Sequence, residues 1–316
     1  MTARYLTARV GQALIVLWAA FTVTFVGIEL LPSDPITSYL ATITNGSAVS
    51  PETVAAVKEY YGYDQGVVSR YLDQLLSYGH GDLGYSLQDS VSVVTRIGQV
   101  IGPTLSLALN ATGIALVLAF GIVTGTTLTR WAWLSRLVGS IPPFLNSMPS
   151  FWLGILALQV FSFQLGVLPL YPDGSFISGF VPALVLGLAV TAPIAQVALK
   201  AVQDAYRQPF VVVLRAKGAS NARIYFTHVL RHAAASVVTM LGLVIGYLLT
   251  GAIVVEKVFG RTGIGSVLEK SVTQQDVAVL QGFVLLVAAA YVLINLIVDL
   301  SYPVIDPRVR VTRERA

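Results

Sequence analysis

The chain of 316 residues contains no cysteine, which excludes disulfides and thiolate metal sites and leaves the redox compartment unread. Charge is scarce as well. Asp, Glu, Lys and Arg supply 11% of the residues, against about a quarter in a typical soluble domain. With 55% hydrophobic residues and a mean hydropathy of +0.74, this deficit indicates a membrane protein. A pI near 9.3 can accompany nucleic-acid binding, but in so apolar a chain it points to basic loops on one side of a bilayer. No nucleic-acid partner is expected.

The chemistry that is missing narrows the function further. No G-x-x-x-x-G-K-[ST] phosphate loop occurs, and Lys217–Gly218 has that pair in reverse order. Any ATP must therefore be hydrolysed on another chain. The only histidines are His80, His228 and His232; neither an H-E-x-x-H pair nor a G-x-S-x-G elbow is present. A non-catalytic chain is expected, with no cofactor of its own.

What is present is length of apolar sequence. A span needs roughly 20 apolar residues, and six stretches qualify: Val10–Leu31, Thr104–Leu128, Val138–Phe163, Phe180–Leu199, Ala233–Val255 and Val277–Leu300. Pro142, Pro143 and Pro149 should kink or break the third. The first follows Arg4 and Arg9 as a signal peptide would, but its length and the lack of a small-residue cleavage site suggest a retained anchor. Ionisable groups inside spans, each costing at least about 2.5–3.5 kcal/mol, mark ion-coupled carriers. Only Glu29 and Asp299 fall within these boundaries, both near ends, which weakens the carrier alternative without removing it.

Six spans put both termini on one side. That side holds fourteen of the twenty basic residues, leaving Lys58, Arg70, Arg96, Lys257, Arg261 and Lys270 opposite. The positive-inside rule places both termini in the cytoplasm. It also places there the basic segment 213-VLRAKGASNARIYFTHVLRHA-233. Charge balance alone accounts for a basic loop, but the order of signals here is that of a folded device. Pro209 suits a first helical position, and Phe210, Val213, Leu214 and Lys217 form a stripe at helical spacing. Gly218 suits a left-handed stop, and Ser220 can cap a second helix bearing Ile224, Phe226, Val229 and Leu230. Two short helices joined by a glycine turn are expected.

These residues carry a resemblance. The stretches 30-LLPSDP-35, 81-GDLGYSL-87, 103-PTLSLAL-109, 253-IVVEKVFGRTGIGSVL-268 and 299-DLSYPVIDPRVR-310, in this order, resemble the permease subunit of bacterial dipeptide/oligopeptide-type ABC importers. The basic segment is similar to the loop by which ABC importer permeases bind their ATPases. Gly218 matches its glycine, Val212, Val213 and Leu214 stand at its Glu-Ala-Ala positions, and Arg231 replaces its proline. Arg-Ala-Lys-Gly at 215–218 fits the peptide branch.

The resemblance implies an all-α membrane protein with the type I ABC importer permease fold, in a bacterial inner membrane. It implies a second, homologous permease in a heterodimer, one or two cytoplasmic ABC ATPases that carry ATP and Mg, and an extracytoplasmic substrate-binding protein. Its layout here is an N-terminal stub and first span at 1–31, an extracytoplasmic loop at 32–102, a core at 103–303 with coupling helices at 206–232, and a basic tail at 304–316. ATPase coupling would fall to Tyr206, Phe210, Leu214, Arg215, Ala216, Lys217, Gly218, Ala219, Ser220, Arg223, His228 and Arg231. An outer gate would involve Glu256, Phe259, Gly263 and Gly265. The cargo is expected to be a di- or oligopeptide, with nickel, glutathione and oligosaccharide as alternatives within similar permeases.

Neutral polar residues inside the spans, among them Asn110, Thr124, Asn146, Ser147, Gln159, Gln196, Thr239, Thr250, Gln281 and Asn295, admit two readings. They join helices by hydrogen bonds of about 0.6 kcal/mol each, or they wet a pathway. Asn110, Asn146, Ser147, Gln159, Gln196, Thr239 and Gln281 are the pathway candidates. The glycines of 121-GIVTG-125 and 242-GLVIG-246 suggest close helix packing. In the external loop, Ser50–Pro51–Glu52 starts one helix, and Val68, Tyr71, Leu72, Leu75 and Leu76 mark a second that ends near Gly79. Both are expected on the bilayer surface, with the binding protein in contact.

Overall fold

The computed structural model describes residues 3–30, 34–44, 47 and 49–305, as backbone only at 3–6, 8, 42, 245, 250 and 298–305. Residues 31–33 of the 30–35 motif, and 306–316 of the basic tail, lie outside the described residues, as does the side chain of Asp299. Helices account for most of the described residues. In chain order they are α1 (Ala3–Glu29), α2 (Pro35–Ile43), α3 (Pro51–Tyr60), α4 (Val67–Gly79) and α5 (Val93–Leu128). The middle holds α6 (Ala132–Gly139), α7 (Ile141–Asn146), α8 (Ser150–Ala157), α9 (Phe176–Tyr206), α10 (Pro209–Ala216) and α11 (Asn221–Ile224). The last are α12 (Leu230–Val258), α13 (Ile264–Thr273) and α14 (Val277–Ile305), and π-helical turns follow α8 and α11. Among the described residues the sole β feature is a bridge between Tyr85 and Ser92.

Five helical runs are long and apolar enough to span a membrane, or six if the bent pair Ala132–Asn146 and Ser150–Gln164 is one span. That pair, bent by 103°, is the third expected span. Pro142 and Pro143 open α7, and Pro149, extended, precedes α8. Proline removes a helical hydrogen bond and clashes with the preceding turn, so the run breaks there. The second span's helix begins at Val93 rather than Thr104 and carries Pro103 inside it.

The chain divides into two compact units. The first comprises Met1–Pro103 and Thr262–Val292. Here Phe21 and Phe25 of α1 pack on Tyr71 and Tyr78 of α4. Glu29 pairs with Arg70, whose guanidinium lies 4.6 Å over the Tyr63 ring. Burial pushes the Tyr63 hydroxyl up to about 12, with Arg70 pulling the other way. Ser50 caps α3 as expected, accepting from the Thr53 amide. Val54, Val57 and Tyr61 then pack on Ile36, Leu40 and Leu87. The second helix of the loop, α4, turns Tyr71 and Leu75 inward and leaves Val68, Leu72 and Leu76 exposed. Asp276 ties distant segments together, accepting from the Ser86 hydroxyl and, at 3.3 Å, from the Leu87 amide.

The second unit comprises Thr104–Arg261 and Leu293–Ala316. Its core is α9, packed by α12, α7 and α8. Leu107, Ala111, Ala115 and Ala119 step along one face of α5 at four-residue intervals and meet Leu186, Val190, Ile194, Val244, Leu248 and Ala252. A Cβ at Gly187 would lie 2.9 Å from the Ala111 carbonyl oxygen, so glycine sets that approach. In the GIVTG and GLVIG motifs the glycines differ: Gly242 is buried, a Cβ at Gly121 or Gly246 would meet open space, and one at Gly125 would meet only Val138, at 3.5 Å. Small residues permit a close approach but do not compel one.

Candidate functional site

The basic segment is mounted on α9. Near its end Asp204 pairs with Lys200 at 3.1 Å and Arg207 at 3.8 Å. Gln208 is extended, as a residue before proline prefers, and Pro209 opens α10. The Gly218 amide donates to the Arg215 carbonyl at 2.9 Å and the Ala219 amide to the Leu214 carbonyl at 3.0 Å. This pair of bonds is a Schellman stop. It requires the left-handed φ of +79° at Gly218, where a Cβ would be strained though it would touch nothing. Ser220 then accepts from the Arg223 amide at 3.3 Å and starts α11.

One expectation changes here. The second helix is not short: α11 runs through the π turn Tyr225–Val229 directly into α12, and Asn221–Leu249 forms one span-length apolar run. The apolar sequence from Ile224 onward gives no stop signal before the span. On α10 itself Val211 is buried between half-buried Phe210 and Leu214, while Val213 is exposed. At about 100° per residue, four consecutive apolar residues cannot share one face, and the proline start fixes which is inward.

Val211, Ile224, Tyr225 and Val229 are buried against Ala198, Val202 and Ala205 of α9 and Val123 of α5. The Tyr225 and Thr124 hydroxyls are 2.9 Å apart, so Thr124 joins helices. Phe210 stacks on His232 with ring centroids 4.9 Å apart and lies 6.3 Å from His228. With Asp204, Gln208 and Leu214 these rings line a recess of about 720 Å³. Outside this mounting stand Val212 and Val213, 69% and 53% exposed, with Arg215, Ala216, Lys217, Arg223 and Arg231 also exposed. Tyr206, Ala219 and His228 are half-buried, and Gly218 and Ser220 exposed. The result is a rigidly held, basic surface with an apolar centre at Val212 and Val213. Helical spacing alone did not say which of the valines at 211–213 the fold would cover.

The other candidates are dispersed. Asn110, Asn146, Ser147, Gln159, Gln196 and Thr239 are exposed. Ser147 and Thr239 donate to their own helices, to the Phe144 carbonyl at 2.7 Å and the Ala235 carbonyl at 2.9 Å. Asn146 lines a recess of about 220 Å³ with Leu186, Pro193, Tyr247, Gly251 and Val254. Gln281 does not join them: it is buried in the first unit and accepts from the Tyr78 hydroxyl at 3.2 Å. Glu256 and Phe259 are buried in the second unit, and Gly263 and Gly265 in the first, around the start of α13. Glu29 is held in its ion pair with Arg70. Among the described residues no cluster of His, Cys, Asp and Glu could hold a metal ion.

Three comparisons place this arrangement. Residues 117–311 match the family described as binding-protein-dependent transport system inner membrane component. The chain is 34% identical over 308 residues to the glutathione transport system permease protein GsiC of Escherichia coli O6:H1 (strain CFT073), covering 97% of this chain and 98% of that one. It is 33% identical over the same length to GsiC of Escherichia coli K12. Two solved structures of inward-facing conformations of the MetNI methionine ABC transporter share the fold at 16% identity, with TM-scores of 0.57 and 0.54, covering 66% of this chain and 96% of theirs. The chain is therefore a multi-pass permease subunit of an ABC importer, and it belongs to the family of binding-protein-dependent transport system inner membrane components.

Proposed function

We propose that this permease imports short peptides of glutathione size and takes its energy from cytoplasmic ATPases that dock on residues 206–232. The cargo rests on similarity to the glutathione permeases over nearly the whole chain. The docking site rests on one observation: α10 ends in a fixed Schellman turn and presents Val212 and Val213 amid exposed Arg215, Lys217 and Arg223. An apolar centre within a charged rim suits a protein partner, with the charges setting orientation. ATP binding would close the ATPases, and α10 would pass that motion to α9 and α12, against which it is packed. ATP and Mg belong to those partners, and this chain is non-catalytic.

On this reading the chain pairs with a second, homologous permease to enclose the pathway, receives cargo from an extracytoplasmic binding protein, and keeps both termini in the cytoplasm. Glu256, Phe259, Gly263 and Gly265 contribute to the outer gate, and Asn146 to the pathway. Purification in mild detergent tests the docking site. ATP-hydrolysing chains should copurify with the native protein and be lost when Gly218 and Ala219 are replaced by bulky residues. Purification alone in both cases would return the basic segment to an orientation signal. Uptake of labelled glutathione and short peptides into proteoliposomes of the whole complex tests the cargo.

A further inference from the structure

Helix α4 presents two unlike flanks, and its place beside α1 shows what each meets. The apolar window of α1 ends at Glu29, where Arg70 of α4 pairs with it. The next residue, Tyr71, packs its ring on Phe21 and Phe25 with centroids 5.3 Å away, and its hydroxyl lies 2.8 Å from that of Thr22. Farther along α4, Tyr78 reaches Phe21 again at 5.4 Å. Thr22 precedes Glu29 by seven residues, about 10 Å along a helix rising 1.5 Å per residue. Half the hydrocarbon core is about 15 Å. Helix α4 thus runs beside α1 at the depth of one leaflet, rather than above it in water.

At about 100° per residue, Tyr71 and Tyr78 face α1 and the half-buried Leu75 follows round the helix. Next come Val68, Leu72 and Leu76, exposed by 73, 50 and 63% and spaced at four-residue steps. Beyond them stand exposed Ser69, Asp73 and Ser77. Farther still are Arg70 and Gln74, which line a recess of about 360 Å³ with Glu29, Asp34 and Lys58. A Gln74 side-chain oxygen is buried there without a hydrogen-bond partner from the protein. One flank of α4 is therefore apolar and the other borders a polar recess.

We propose that α4 is an in-plane membrane helix whose Val68–Leu72–Leu76 stripe lies in the acyl chains of the leaflet nearest Glu29. The occupant is lipid because the stripe is reached from the α1-facing side and lies at the depth of α1's own exposed apolar residues, Val23, Val26 and Leu30, exposed by 72, 46 and 78%. An amphipathic helix at this depth gains from burying that face in the interface. On the other flank Arg70 and Gln74 border the polar recess, where Arg70 meets Glu29. The stripe is then closed to any docking protein, which leaves α2, α3 and the exposed Tyr60 and Tyr85 for such contacts.

The cysteine-free sequence makes the test direct. Val68→Cys, Leu72→Cys and Leu76→Cys would carry a nitroxide in one set, and Ser69→Cys, Asp73→Cys and Ser77→Cys in the other. Each is measured in the assembled importer in liposomes, after its ATPase activity is shown to be intact. Relaxation by oxygen, which partitions into lipid, is compared with relaxation by a water-soluble nickel chelate. The first set should favour oxygen severalfold and the second the chelate, alternating with the helical repeat. Equal access of the chelate to all six positions would put the stripe in water and overturn the proposal. Protection of the stripe from both reagents would put a protein on it and overturn the proposal equally.

Discussion

The Thr104 hydroxyl donates a 2.6 Å hydrogen bond to the Glu256 carboxylate, with both side chains buried, so the start of the second unit is tied to the end of α12. A hydrogen bond contributes about 0.5–1.5 kcal/mol net, and a buried acceptor deprived of a donor is destabilising. Thr104→Val, nearly isosteric, should lower the midpoint of thermal unfolding in detergent. Thr104→Ser should retain most of the stability, because the hydroxyl remains. Glu256→Gln keeps an acceptor oxygen and should be milder than Glu256→Ala. If Thr104→Val melts like the native protein, the bond is not a stabilising tie.

Gly187 tests packing without chemistry. A Cβ there would lie 2.9 Å from the Ala111 carbonyl oxygen and 3.1 Å from the Ile114 side chain. Backbone cannot yield as a side chain can, so Gly187→Ala should destabilise by about 1–3 kcal/mol, the usual range for overpacking. Gly246→Ala is the control on another helix, where a Cβ meets open space. It should be neutral or slightly stabilising, since alanine favours helix over glycine by about 1 kcal/mol. Equal melting of the two variants would show that α5 and α9 can separate freely.

Asp34 gives a pH prediction. Burial opposes its ionisation, but Lys58, the Ile36 amide and the Thr37 hydroxyl together hold its carboxyl below the ordinary value of 3.8. A carboxylate depressed in the folded state adds stability that is complete above its unfolded pKa and fades as pH falls through the folded one. The native protein should therefore lose stability on acidification below about pH 4, and Asp34→Asn should remove that part of the slope. Lys58→Ala should do the same, because it removes the partner. Parallel melting curves for native and Asp34→Asn protein from pH 3 to 6 would contradict this.

How far the sequence could carry these conclusions depended on the kind of signal. Ser50, Pro51, Pro209, Gly218 and Ser220 are local signals, and each acts where its chemistry requires. Prolines 142, 143 and 149 announced the broken third span. Faces were harder, because periodicity in an apolar run does not say which side is covered. The exposure of Val213 and of the Val68–Leu72–Leu76 stripe is visible only in the structure. Long-range partners were not legible: Thr104 with Glu256 is separated by 152 residues and Ser86 with Asp276 by 190. Gln281 shows the same limit, since a polar residue in a span looks alike whether it wets a pathway or accepts from Tyr78.

The two faces of α10 separate docking from folding. Val211 is 1% exposed, against 69% for Val212 and 53% for Val213, though all three are valines in one turn. A charge placed at Val211 must be desolvated in the core, whereas at Val213 it stays in water unless a partner covers it. Val211→Asp should therefore unfold the segment, lowering yield and melting temperature together. Val213→Asp should leave the isolated permease as stable as the native chain and weaken ATPase retention by tenfold or more, a loss typical of a central interface residue. Arg215→Ala, at the rim, should change the salt dependence of association more than its strength. The deciding measurement is the amount of ATPase retained per permease during purification, set against the melting temperature of each variant. If Val213→Asp keeps its full complement of ATPase, the docking surface lies elsewhere and α10 serves only to end α9.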